Sequence, residues 1–67
     1  MVKIQSIMRM ISRAEIEEEI SQAQAATLRY QTKTMYQDVG NFADGCTSEW
    51  ILQTINSELI IAKGARR

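Results

Sequence analysis

An all-α fold, built as a helix–loop–helix hairpin, is what this sequence predicts. Three observations carry that reading. Residues 12–39 run without a single Gly or Pro. Residues 48–63 show a second helical pattern with start and stop signals. Between them, residues 40–47 form the one clear loop, rich in turn chemistry. The hairpin is expected to be preceded by a short helix or strand and to work as an oligomer.

Residues 2–11, VKIQSIMRMI, allow two readings. As a helix, Ile4, Ile7, Met8 and Ile11 form a stripe at i, i+3, i+4 and i+7. As a strand, Val2, Ile4, Met8 and Met10 alternate with Lys3, Gln5 and Arg9. A strand needs a mate, and no second strand pattern stands out, so the helix is preferred.

Residues 12–39 read as one long helix. Ser12 and Glu15 match the Ser-x-x-Glu capping box, in which each side chain satisfies the other residue's free backbone amide. Glu17, Glu18 and Glu19 follow, near the positive end of the helix dipole, and Gly40 offers a left-handed stop. At about 100° per residue, Ile16, Ile20, Ala23, Thr27 and Tyr30 fall on one stripe. Leu28, Met35 and Val39 fall on another. The two halves therefore predict contacts with different neighbours, or a bend.

In the loop, Asn41, Asp44 and two glycines supply turn chemistry. Tyr30, Tyr36, Phe42 and Trp50 surround it and predict an aromatic plug at the end of the hairpin. In residues 48–63, Thr47 or Ser48 is the expected cap, and Lys63 with Gly64 marks the end. Ile51, Ile55 and Leu59 make its core stripe, facing Leu28, Met35 and Val39. Trp50, Ile60 and Ile61 point elsewhere, so the apolar surface is wider than one partner helix covers. Residues 64–67 read as a frayed tail.

Composition limits the function. A chain of 67 residues is a single small domain with a marginal core, and such chains often depend on a staple or a partner. One cysteine and no histidine leave no internal disulfide and no Cys/His metal site. Formal net charge is +0, which argues against strong nonspecific binding to nucleic acid. No apolar run is long enough to span a bilayer. The unpaired thiol fits a reducing compartment, so a cytoplasmic protein is expected.

Catalysis is not expected. Among Glu15, Glu17, Glu18 and Glu19, only Glu15–Glu18 and Glu15–Glu19 have spacing that brings two carboxylates together, and a solvated acidic turn accounts for them. Cys46 has no histidine to activate it. Gly40 and Gly45 do not make a phosphate loop. No cofactor is implied.

The expected function is protein–protein interaction, as a small adaptor, chaperone or inhibitor, through Ile16, Ile20, Ala23, Trp50, Ile60 and Ile61. The partner is another protein or a second copy. The alternative is a small dimeric nucleic-acid-binding regulator of phage or plasmid type. It would use Lys3, Gln5 and Arg9 on a β-ribbon, although the glutamates that follow oppose phosphate.

Overall fold

A computed structural model of the chain describes residues 1–40 and 43–65, with side chains through Asp38 and again from Asp44. It is mostly helical. Strand β1 (Val2–Lys3) leads into α1 (Ile4–Ile16), α2 (Gln22–Met35), a π-helical turn (Tyr36–Gly40), a 3-10 turn (Ala43–Gly45), β2 (Cys46–Thr47) and α3 (Glu49–Ala65). No helix among the described residues is long and apolar enough to cross a membrane.

The preferred helix holds from Ile4 onward, and the strand alternation over residues 2–11 does not: of these residues only Val2 and Lys3 form a strand. Val2 and Lys3 pair antiparallel with Thr47 and Cys46, so the strand finds its mate inside the same chain, just after the loop. Lys3 Nζ also donates to the Asp44 carbonyl at 3.2 Å. From Ile4 the helical stripe takes over, burying Ile7, Ile11 and Ala14.

The single helix over 12–39 is not observed. The chain breaks at residues 17–21, and α1 and α2 fold back on one another. The Glu19 amide donates to the Ala14 carbonyl and the Glu18 amide to the Glu15 carbonyl, at 2.9 and 3.0 Å. This is the Schellman ending of a helix, which needs one left-handed residue. Glu18 takes that role with φ 61°, in a place where glycine is usual. Left-handed backbone costs a non-glycine residue about 1–2 kcal/mol. Ile20, next along the turn, is 1% exposed, and burial of such a side chain returns about 1.5–3 kcal/mol.

The capping box also lies elsewhere than expected. Ser21 Oγ accepts from the Gln24 amide at 3.1 Å, and Gln24 Oε1 accepts from the Ser21 amide at 2.8 Å. Ser12, expected to open the long helix, sits inside α1. Its hydroxyl and the Glu15 carboxylate accept from the Arg29 guanidinium on α2, at 3.3 and 2.6 Å.

The helices run up, down and up. Gln24 Nε2, at the start of α2, donates to the Ala62 carbonyl near the end of α3 at 3.2 Å, so α2 and α3 are antiparallel. Lys63 Nζ lies 3.6 Å from Glu19 Oε1, and the N-terminal amine lies 3.6 Å from Glu49 Oε1, so α1 runs parallel to α3. The core gathers Ile7, Ile11, Ala14, Ile20, Ala25, Leu28, Ile51, Ile55 and Leu59. Thr32 is also buried, and its hydroxyl donates to the Leu28 carbonyl at 2.8 Å, which satisfies the polar group inside the core.

At the start of α3, the Ile51 amide donates to the Ser48 carbonyl at 3.3 Å. Among the described residues, neither the Thr47 nor the Ser48 hydroxyl finds a partner, so neither supplies the expected side-chain cap. At the other end, Gly64 does not stop the helix, which continues to Ala65. Asn41 and Phe42 of the expected loop and plug, the Val39 side chain, and Arg66 and Arg67 of the tail lie outside the described residues.

Candidate interaction surface

Helix α1 covers one side of the α2–α3 pair. The opposite side is open, and it is a groove rather than a flat face. Its first part is lined by Tyr30, Gln31, Thr34 and Met35 of α2 with Thr54 and Glu58 of α3. Its second part is lined by Ala23, Gln24 and Thr27 of α2 with Ile61, Ala62 and Ala65 of α3. Gln31 and Glu58 line both parts, so the groove is continuous along the hairpin.

The residues that build it follow from helix geometry. On α2 the core takes Ala25, Leu28 and Thr32. The positions behind them, Ala23, Thr27, Tyr30 and Thr34, step by four, three and four along one outer stripe. On α3 the core takes Ile51, Ile55 and Leu59, and Thr54, Glu58, Ile61 and Ala65 repeat the same steps at the groove edge. The α2 stripe carries mainly small side chains, and Thr54 and Ala65 are small on the α3 stripe, which leaves room at the groove.

Charge is nearly absent from this side. Of the residues that α3 exposes from Trp50 to Ala65, Glu58 is the charged one. Lys63 is half-buried and faces Glu19. Of the residues that α2 exposes, Lys33 alone is charged, and it lies toward the Arg29 side by the helical wheel. Two large apolar groups of the groove lining stand in water: Ile61 is 64% exposed and Tyr30 72%.

The interaction residues expected from the sequence separate into three groups. Ala23 and Ile61 come together as lining of one recess. Trp50 and Ile60 are exposed on the outer side of α3, while Ile16 is exposed at the end of α1, away from the groove. Ile20 is a correction. It is buried in the core, because the break at 17–21 turns it inward, and it is not available to a partner. Tyr30, Gln31, Thr34, Thr54 and Glu58 were not expected. Thr27 and Tyr30 were already placed on the Ala23 stripe, so half of the signal was present. The facing stripe of α3 was hidden by the larger isoleucines beside it.

Lys3, Gln5 and Arg9 do not form the expected ribbon. Of residues 2–11, only Val2 and Lys3 are in a strand. Gln5 and Arg9 lie on α1, sharing a shallow recess with Met8 and Ser12. Arg13, one turn beyond Arg9, is paired with Glu17 at 3.1 Å. Cys46 is half-buried, with Sγ 4.0 Å from the Asp44 carbonyl. Among the described residues, no three His, Cys, Asp or Glu side chains converge on one point.

Comparison with known proteins adds no further constraint: no family model, no curated protein and no solved structure matches this chain.

Proposed function

We propose that the protein is a non-catalytic protein–protein interaction module of the cytoplasm, an adaptor or inhibitor, and that the α2–α3 groove receives an apolar helix of another protein. The observation that supports this reading is the pairing of exposed Ile61 and Tyr30 with a groove in which Glu58 is the one charged lining residue. Soluble monomers usually break up large apolar patches with charge, and patches that persist mark interaction sites. The groove geometry sets the occupant. Two antiparallel helices with small residues facing the channel suit a third helix laid between them, anchored at i, i+3, i+4 and i+7 positions. A charged occupant would be stripped of water opposite a surface that offers it only Glu58, at a large cost in free energy.

The reading assigns Ile61 the role of anchor. Burying one isoleucine is worth about 1.5–3 kcal/mol, which corresponds to roughly ten- to a hundredfold in affinity. The test places a photo-crosslinking side chain at Thr54 in the groove, or at Gln5 on α1, in the native host. Thr54 is expected to capture a defined partner through a helical segment, and Gln5 is not. With that partner purified, Ile61→Glu should weaken binding at least tenfold while the denaturation midpoint stays within about 0.5 kcal/mol of the parent, as for surface substitutions. Equal capture from both positions, or unchanged affinity for Ile61→Glu, would overturn the reading.

A further inference from the structure

The buried positions of α1 and α2 share one register. Ile7, Ile11 and Ala14 face the core from α1, and Ala25, Leu28 and Thr32 from α2. Counted straight through the turn, positions 7, 11, 14, 18, 21, 25, 28 and 32 alternate steps of four and three. That is the spacing of the inward positions of a heptad repeat. A hairpin does not require it, because after a reversal the second core stripe is free to start at any residue. The two positions of the series that fall in the turn are Glu18 and Ser21. They are the residues that make the turn, Glu18 by its left-handed backbone and Ser21 by capping α2. Nothing else in residues 17–21 opposes a helix, since the segment holds neither Gly nor Pro.

We propose that residues 4–35 also form one continuous helix, and that in this state the chain exchanges α1 with a second copy of itself. Opening the turn keeps Ile7, Ile11, Ala14, Ala25, Leu28 and Thr32 on one stripe. Two such helices, antiparallel about a twofold axis near residue 21, place each α1 on the other copy's α2 and α3. Arg29 of one copy then meets Ser12 and Glu15 of the other, with the contacts it makes within the hairpin. The β1–β2 pairing re-forms between copies in the same way. Exchange gives up the burial of Ile20 and the Ser21–Gln24 box. It gains helical hydrogen bonds through the turn and frees Glu18 from its left-handed backbone. Short, strained hinges favour exchange of this kind.

This inference rests on the turn and not on the α2–α3 groove, so the two proposals fail separately. The test uses the full chain with Cys46→Ser, Gln5→Cys and Lys33→Cys, spin-labelled and diluted into unlabelled protein so that distances within one chain are read. The labelled residues are 28 positions apart, about 42 Å along a continuous helix at 1.5 Å per residue. In the hairpin they sit on neighbouring antiparallel helices, within about 20 Å given the usual 8–10 Å interaxial spacing. A long-distance population is expected to grow with the dimer fraction seen by sedimentation.

Two variants move the balance in opposite directions. Glu18→Gly suits the left-handed position and should weaken dimerisation at least tenfold. Glu18→Leu with Ser21→Leu completes the stripe and should strengthen it at least tenfold. Glu18→Gly keeps the hairpin foldable, so the comparison stands even if the double variant misfolds. Ile61→Glu should leave the exchange unchanged. Four results would overturn the proposal: a dimer that keeps the short distance, a monomer at all concentrations up to millimolar, equal dimerisation of parent and Glu18→Gly, or loss of the dimer in Ile61→Glu.

Discussion

Glycines 45 and 64 show how one residue type serves two opposite local needs. Gly45 has φ +70° and follows Asp44, which is also left-handed at φ 61°. These two consecutive residues turn the chain into β2. A Cβ at Gly45 meets no neighbour, so the cost of Gly45→Ala is conformational alone, about 1–2 kcal/mol. Gly64 lies inside α3, where a Cβ also meets open space. There the glycine only adds freedom to the unfolded chain. Gly64→Ala is therefore expected to stabilise the protein by about 0.4–1 kcal/mol. Thermal unfolding should show the midpoint rising by several degrees for Gly64→Ala and falling for Gly45→Ala. A fall in both would place Gly64 outside the helix.

At the scale of the element, the decisive event is the break between α1 and α2. Ser21 holds the capping box at the start of α2, so Ser21→Ala should cost about 1 kcal/mol. Ser12→Ala should cost less, because that hydroxyl is mid-helix and Arg29 keeps its shorter bond to Glu15. Urea denaturation of the two variants gives the comparison, and a larger loss for Ser12→Ala would contradict the observed boundary.

The sequence holds both boxes, Ser12-x-x-Glu15 and Ser21-x-x-Gln24, and local pattern ranks the first higher because glutamate follows it. Tertiary packing chooses the second. A continuous helix in an isolated monomer leaves Ile7 and Ile11 uncovered, and folding back at Glu18 buries both. Nothing in the chain around Glu18 announces a left-handed residue, so the break was not legible. The α3 core stripe and the Ala23, Thr27 and Tyr30 stripe were legible, because their period belongs to the helix alone. The strand pairing was not, since two residues are too few to show an alternation.

At the scale of the whole molecule, the described residues form three α-helices closed by a ribbon of two-residue strands. Val2 pairs with Thr47, 45 positions further on (47 − 2), whereas α1 meets α2 across a five-residue turn. Closing the longer loop costs roughly 2 kcal/mol more in chain entropy than closing the turn, from the logarithmic dependence on length. The ribbon offers few contacts in return until the helices have met. The order of assembly follows. The α1–α2 hairpin, joined by α3, is expected to form the nucleus, with the ends of the ribbon meeting after the rate-limiting step. In stopped-flow chevrons, Val2→Ala should leave the folding rate nearly unchanged and speed unfolding, whereas Leu28→Ala should slow folding. A two-residue strand pair is thus expected to bear more on how long the folded chain lasts than on how fast it forms.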